Sequence, residues 1–121
     1  GNSYGAITYD SSNNKVVIAY RDYSNSDYGT AVVGTVSGTS ISFGTRVVFK
    51  SANSDWISAT FDSTNNKVVI AYRISGQGTA IVGTVSGTSI SYGTEAAFDS
   101  NGSQRMSITF DSASDAVVVA Y

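Results

Sequence analysis

The apolar positions of this chain come in short bursts separated by turns of Ser, Thr, Asn and Gly. In the first third, turn chemistry marks off four β segments, at about 5–10, 15–21, 29–36 and 40–49. The second carries Val16-Val17-Ile18-Ala19-Tyr20 and the third Ala31-Val32-Val33-Gly34. Unbroken apolar runs of this kind predict strands buried on both faces. The first segment (Ala6-Ile7-Thr8-Tyr9) and the fourth (Ile41-Ser42-Phe43-Gly44-Thr45) are closer to alternation, as expected of strands with one solvated side. Ser11-Ser12-Asn13-Asn14 and Ser37-Gly38-Thr39 are short and tolerate turn dihedrals, so each flanking pair reads as an antiparallel hairpin.

The pattern then recurs. Asn13 to Arg21 returns unchanged as Asn65 to Arg73, and a looser copy runs from Asp115 to Tyr121. The aspartates ahead of the copies, Asp10, Asp62 and Asp111, are spaced by 52 and 49 residues, within the periods that mark solenoids, propellers or arrays. The second copy places its segments at 58–62, 67–73, 78–85 and 89–98, and a third supplies only 107–111 and 116–121. The units are therefore 1–52, 53–104 and a partial 105–121. A four-stranded meander whose middle strands are buried on both faces must lie between neighbouring sheets, and radial stacking of such meanders gives an all-β, propeller-type fold. Small residues in the middle strands (Ala19, Ala31, Gly34, Ala71, Ala80, Gly83) suit close approach. Solenoid rungs would not need two tight hairpins per repeat, and a sandwich domain wants about 100 residues per unit. Propellers use about 4 to 8 blades, so two and a half units are expected to associate with copies of the chain or to belong to a longer propeller.

The strings Asn13 to Arg21 and Gly29 to Thr45, with their second copies, resemble the tandem blade repeats of structural proteins of marine bacteriophages and bacteria. The resemblance covers almost the whole chain. It implies a β-propeller-like blade and a structural role, and brings no catalytic residues to carry over. Tryptophan-aspartate, kelch and Asp-box signatures are not matched.

Composition narrows the function classes. Net charge is −2 and charged residues are 13% of the 121, so no basic stripe for nucleic acid is expected. Cysteine and histidine are both absent, which removes disulfides, thiol chemistry and the usual transition-metal ligands; no cofactor is expected. No apolar run approaches the roughly 20 residues of a membrane-spanning helix, so no membrane insertion is expected. The start Gly1-Asn2-Ser3-Tyr4 lacks a signal-peptide layout and reads as a processed or excised piece. Small polar residues with many Tyr suggest an extracellular or virion surface.

Candidate chemistry lies where the copies differ. Successive strands of a meander reverse, so the two hairpin turns of a unit share one end and the remaining two connections share the other. The hairpin turns are near copies. At the other end Asp22 to Tyr28 faces the shorter Ile74-Ser75-Gly76-Gln77, and Lys50 to Trp56 faces Asp99 to Arg105. Variable loops on a rigid scaffold are the usual seat of binding residues, which selects Tyr23, Asp27, Tyr28 and Trp56, with Arg21, Arg73 and Arg105 beside them, as the candidate face for a glycan or cell-surface receptor. Arg21 and Arg73 could form an arc for anionic groups, or pair with Asp22, Asp27, Asp55 or Asp99. Asp10, Asp62 and Asp111 could suggest calcium, but their loops lack alternating acidic ligands, and an Asx-type turn explains them better.

For catalysis, triads based on His or Cys are unavailable, and Glu95, the only Glu, stands where the other copy has Arg46. Thr8, Thr60 and Thr109, alternating with Tyr9, Phe61 and Phe110, are expected to line the axis. The sequence thus predicts a non-catalytic scaffold with possible glycan or receptor binding on its variable face, the alternative being a lectin with sites on or between blades.

Overall fold

A computed structural model describes residues 4–121 and is all-β, built of antiparallel sheets. Sheet 1 holds β1 (Gly5–Asp10), β2 (Lys15–Asp22), β3 (Tyr28–Ser37), β4 (Ser40–Phe43) and β5 (Val47–Asn53). Sheet 2 repeats it with β6 (Asp55–Asp62), β7 (Lys67–Ile74), β8 (Gln77–Ser86), β9 (Ser89–Tyr92) and β10 (Ala96–Asp99). Sheet 3 is the hairpin of β11 (Ser107–Asp111) and β12 (Ala116–Ala120).

The hairpins follow from their turns. Asp10 Oδ1 accepts the backbone N–H groups of Ser12 and Asn13 at 2.9 and 3.0 Å, and Asp10 Oδ2 accepts Asn13 Nδ2 at 2.8 Å. Asp62 repeats this with Thr64 and Asn65, and Asp111 with Ala113 and Ser114. These are Asx turns, and Asn14, Asn66 and Asp115 take left-handed φ of 53°, 54° and 51° to close them.

The fourth segment is not one strand. β4 pairs with one half of β3, from Gly34 to Ser37, and β5 with the other, from Tyr28 to Ala31. Between them Gly44 N donates to Val33 O at 2.9 Å, and Gly93 N to Val82 O at 2.9 Å in the second unit. Both copies break the outer strand at the same Gly-Thr step, which frees the next residue, Arg46 or Glu95, to leave the ladder.

The sheets stack in one direction: β1 lies against β6, and β6 against β11. Sheet 1 gives Val17, Ala19, Ala31, Val33 and Phe49 to the first join, and sheet 2 meets them with Val68, Ile70, Tyr72, Ile81 and Ile90. The opposite face of β7, Val69 and Ala71, packs with Ile108, Val117 and Val119 of sheet 3. One contact marks both joins: Phe49 meets Tyr72 with ring centroids 5.0 Å apart and planes at 53°, and Phe98 meets Tyr121 at 5.2 Å and 50°.

Burial on both faces therefore holds for β7 but not for β2. Val17, Val69 and Ile70 are buried as their apolar runs predict, whereas Ile18 is only half-buried, because sheet 1 has a neighbour on one side only among the described residues. The same exposure reaches the inner strand, where Ile7 and Tyr9 are open to solvent.

Candidate functional site

The two connections expected to share the variable end do meet there. Ser54 N donates to Asp27 O at 3.1 Å, and in the second unit Gly102 N, one residue earlier in its connection, donates to Gly76 O at 2.9 Å. In the first unit the longer β2–β3 loop is shaped by Asp22. Its Oδ1 accepts Ser24 N at 3.0 Å and Ser24 Oγ at 2.6 Å, and its carbonyl accepts Asn25 N and Asp27 N, both at 3.0 Å. Ser26 and Asp27 take left-handed φ of 53° and 62°. That backbone turns the Asp27 carboxylate back onto the end of β2.

There Arg21 forms the centre of a charged cluster. Its Nη2 lies 2.9 Å from Asp27 Oδ2 and its Nη1 2.5 Å from Asp55 Oδ1, and the second oxygen of Asp55 takes Arg73 Nη2 at 3.1 Å. The guanidinium carbon lies 5.2 Å from the Tyr4 ring centroid and 5.0 Å from that of Tyr23, and the two rings meet edge to face at 6.1 Å. Arg21 is thus held between two aromatic rings and two carboxylates, geometry that suits cation–π attraction. Hydrogen bonding to Asp27 raises the Arg21 pKa further, and the same bond holds the Asp27 carboxyl below its ordinary value. Arg21 Nε is buried without a hydrogen-bond partner.

The candidate residues divide accordingly. Arg21, Tyr23, Asp27 and Arg73 come together in one cluster. Tyr28 is half-buried in the backbone ladder beside it, opposite Asp22 and Asn53. Trp56 follows Asp55 directly, half-buried in an irregular stretch of β6 with a left-handed φ of 51°. Arg105 occupies the equivalent place in the third unit, also left-handed at 57° and exposed, and the cluster does not include it. Two members were missed by pattern alone or given a lesser part: Tyr4, and Asp55 as the bridge between the two arginines. Aligning the starts of the three inner strands puts Tyr4, Trp56 and Arg105 in one column, and that column was the available signal for Tyr4.

Two arginines face two carboxylates, so the cluster is close to charge-balanced and offers an anion little uncompensated positive charge. Its exposed chemistry is aromatic, with Tyr23 standing in solvent. Elsewhere, Glu95 accepts Lys50 Nζ at 2.6 Å and the Tyr72 hydroxyl at 2.7 Å. Those bonds, Lys50 first, hold its carboxyl below the ordinary value, the wrong direction for a general acid. Among the described residues no group of three or more Asp and Glu side chains could hold a metal ion. No family model, no curated protein and no solved structure matches this chain.

Proposed function

We propose that the chain is a non-catalytic segment of a β-propeller from a cell-surface or virion structural protein, whose variable loop end binds a glycan or receptor. The propeller reading is supported by the repeated head-to-tail join, Phe49 on Tyr72 and then Phe98 on Tyr121, with the inner strands β1, β6 and β11 adjacent in succession. The observation that carries the binding reading is the unrepeated platform of Tyr4, Tyr23 and Arg21, tied by an ion pair to Asp55, the residue before Trp56. Its arginine is already neutralised, and its Tyr23 ring is largely exposed beyond the contacts with Arg21 and Tyr4. Aromatic faces stack on sugar rings and bury area at low entropic cost, whereas the opposite end carries the same Asx turns in each unit.

A glycan array, with pull-down against host-cell surfaces as a second arm, tests this. Tyr23→Ala and Trp56→Ala should each weaken binding about tenfold or more, equivalent to about 1.4 kcal/mol, while Asn13→Ala and Asn65→Ala leave it unchanged. The reverse pattern would move the site to the repeated end, and absence of binding by correctly folded protein would leave a scaffold alone.

A further inference from the structure

The face of sheet 1 turned away from sheet 2 is made of residues that sheet 2 buries. Ile41 is 47% exposed and its counterpart Ile90 2%, and Val36 is 59% exposed against 7% for Val85. Ile18, Tyr20, Val32, Phe43, Gly44 and Arg46 line an open hollow of about 530 Å³ on this face. A repeat that cannot bury its apolar face alone is completed by a neighbour, and the first join already displays what such a neighbour looks like.

At the edge of that join the two units differ in charge. Lys50, on the face that sheet 1 turns to sheet 2, meets Glu95 on the receiving face. The first unit has Arg46 where the second has Glu95, each at the break in the outer strand. Arg46 shares the hollow with Tyr20, as Glu95 sits on Tyr72. The second unit has Asp99 where the first has Lys50, the two standing at the same register, opposite Gly78 and Gly29. Both charges invert together. The apolar residues of the two donating faces hardly differ, with Val17, Ala19, Ala31, Val33 and Phe49 matched by Val69, Ala71, Ala80, Val82 and Phe98. Arg46 is largely exposed, and its closest carboxylate contact, Asp22, is at 3.8 Å.

We infer that the outer face of sheet 1 receives a unit of this same repeat carrying an acid at the place of Asp99, so that one charge pair sets the order of units. A Lys-bearing unit precedes one with Glu, and an Asp-bearing unit precedes one with Arg46. The inference rests on the head-to-tail propeller reading and adds the rule by which neighbours are chosen. A unit of the first kind placed on Arg46 would bring the cation equivalent to Lys50 against a guanidinium, a like-charge clash that rejects the wrong neighbour. A unit of the second kind would bring a carboxylate whose two oxygens accept Asn101 N and Ser103 Oγ in their own turn and keep lone pairs for a charge-assisted hydrogen bond from the guanidinium.

Two tandems test the rule, one with an added copy of residues 53–101 and one with an added copy of 1–52, each joined ahead of Gly1 of the full chain. Both should melt above the chain itself, and the 53–101 tandem about 2–4 °C above the 1–52 tandem. Arg46→Glu should reverse that order. Equal melting of the two tandems, with and without Arg46→Glu, would overturn the charge rule while leaving the stacking intact. No gain from either added copy would overturn the rule and the propeller reading together. Inside the natural chain, Lys50→Asp and Glu95→Arg should each lower the melting midpoint and together restore most of it. A double variant no better than the worse single one would also overturn the rule.

Discussion

In the second unit Ile70 and Tyr72 pack with Val17, Ala31 and Phe49 of the first, while Ile18 and Tyr20, the same residues at the same places one unit earlier, border an open hollow. The strands, turns and registers around them are alike. The difference that decides their burial is whether another sheet lies alongside. Burial in this protein is thus a property of a residue's place in the stack, and a side chain's contribution to stability follows its neighbour rather than its sequence context.

The largest expected effect separates these two faces directly. Ile70→Ala opens a cavity in a site with no solvent access and should cost about 3–4 kcal/mol in denaturant unfolding. Ile18→Ala, the identical change in the half-buried copy, should cost less than half as much. Equal losses would mean that the outer face of sheet 1 is covered in solution, by self-association or otherwise, and sedimentation at the same concentration would reveal it.

A smaller effect concerns the glycines at the broken outer strand. A Cβ on Gly44 would come within 1.9 Å of Thr88 O, backbone of the neighbouring sheet, whereas on Gly93 the nearest atom is Val82 O at 3.9 Å. Gly44→Ala must push the sheets apart and should cost about 2–3 kcal/mol, while Gly93→Ala should lie within about 0.5 kcal/mol of the parent. Thermal melts of the two variants side by side check this. The contrast would collapse if a third full sheet packed on the second in solution as the second packs on the first.

The smallest effect is in the pH dependence. Hydrogen bonds from Lys50 and then Tyr72 lower the Glu95 pKa, and the side chain of Asn65 leads the bonds that lower that of Asp62. A depressed folded-state pKa gives stability that is fully present above the unfolded values, about 3.9 for Asp and 4.3 for Glu. That stability is lost as the pH falls through the folded values. The melting midpoint should therefore hold steady down to about pH 5 and fall below about pH 4. Glu95→Gln should remove the join's share of that fall, and Asp62→Asn only the share of one turn. A midpoint that drops between pH 7 and pH 5 would contradict these directions.

Much of the architecture was legible because its signals are local. The repeat from Asn13 to Arg21, the Asx turns after Asp10 and Asp62, and the Ser-Gly-Thr hairpins fix strands and register through backbone dihedrals and nearest-neighbour hydrogen bonds. The break of the outer strand at Gly44 and Gly93 was not legible. Ile41 to Phe49 reads as one strand, and only the close approach of Thr88 to Gly44 gives the glycine its structural reason. At the variable end, sequence comparison found Arg21, Tyr23, Asp27 and Arg73, but not that Asp55 bridges the two arginines from 34 and 18 residues away. Arg105 matched Trp56 in position and still lies outside the cluster: it stands one unit further along, where its connection meets the short turn at Gly76 and Gln104 takes the place of the bridging Asp55.

Local signals in the sequence settle most of the unit: its hairpin strands, its turns, its repetition, and which end varies. It also carried the inverted charges at residues 46, 50, 95 and 99, but their meaning depends on which sheet faces which. The tertiary structure alone decided that Val17, Ala31 and Phe49 look toward the next unit while Ile18, Tyr20 and Arg46 look away from it. Alternation along a strand assigns residues to two faces, but which face meets a neighbour is set by packing between sheets, whose contacts join residues far apart in the chain.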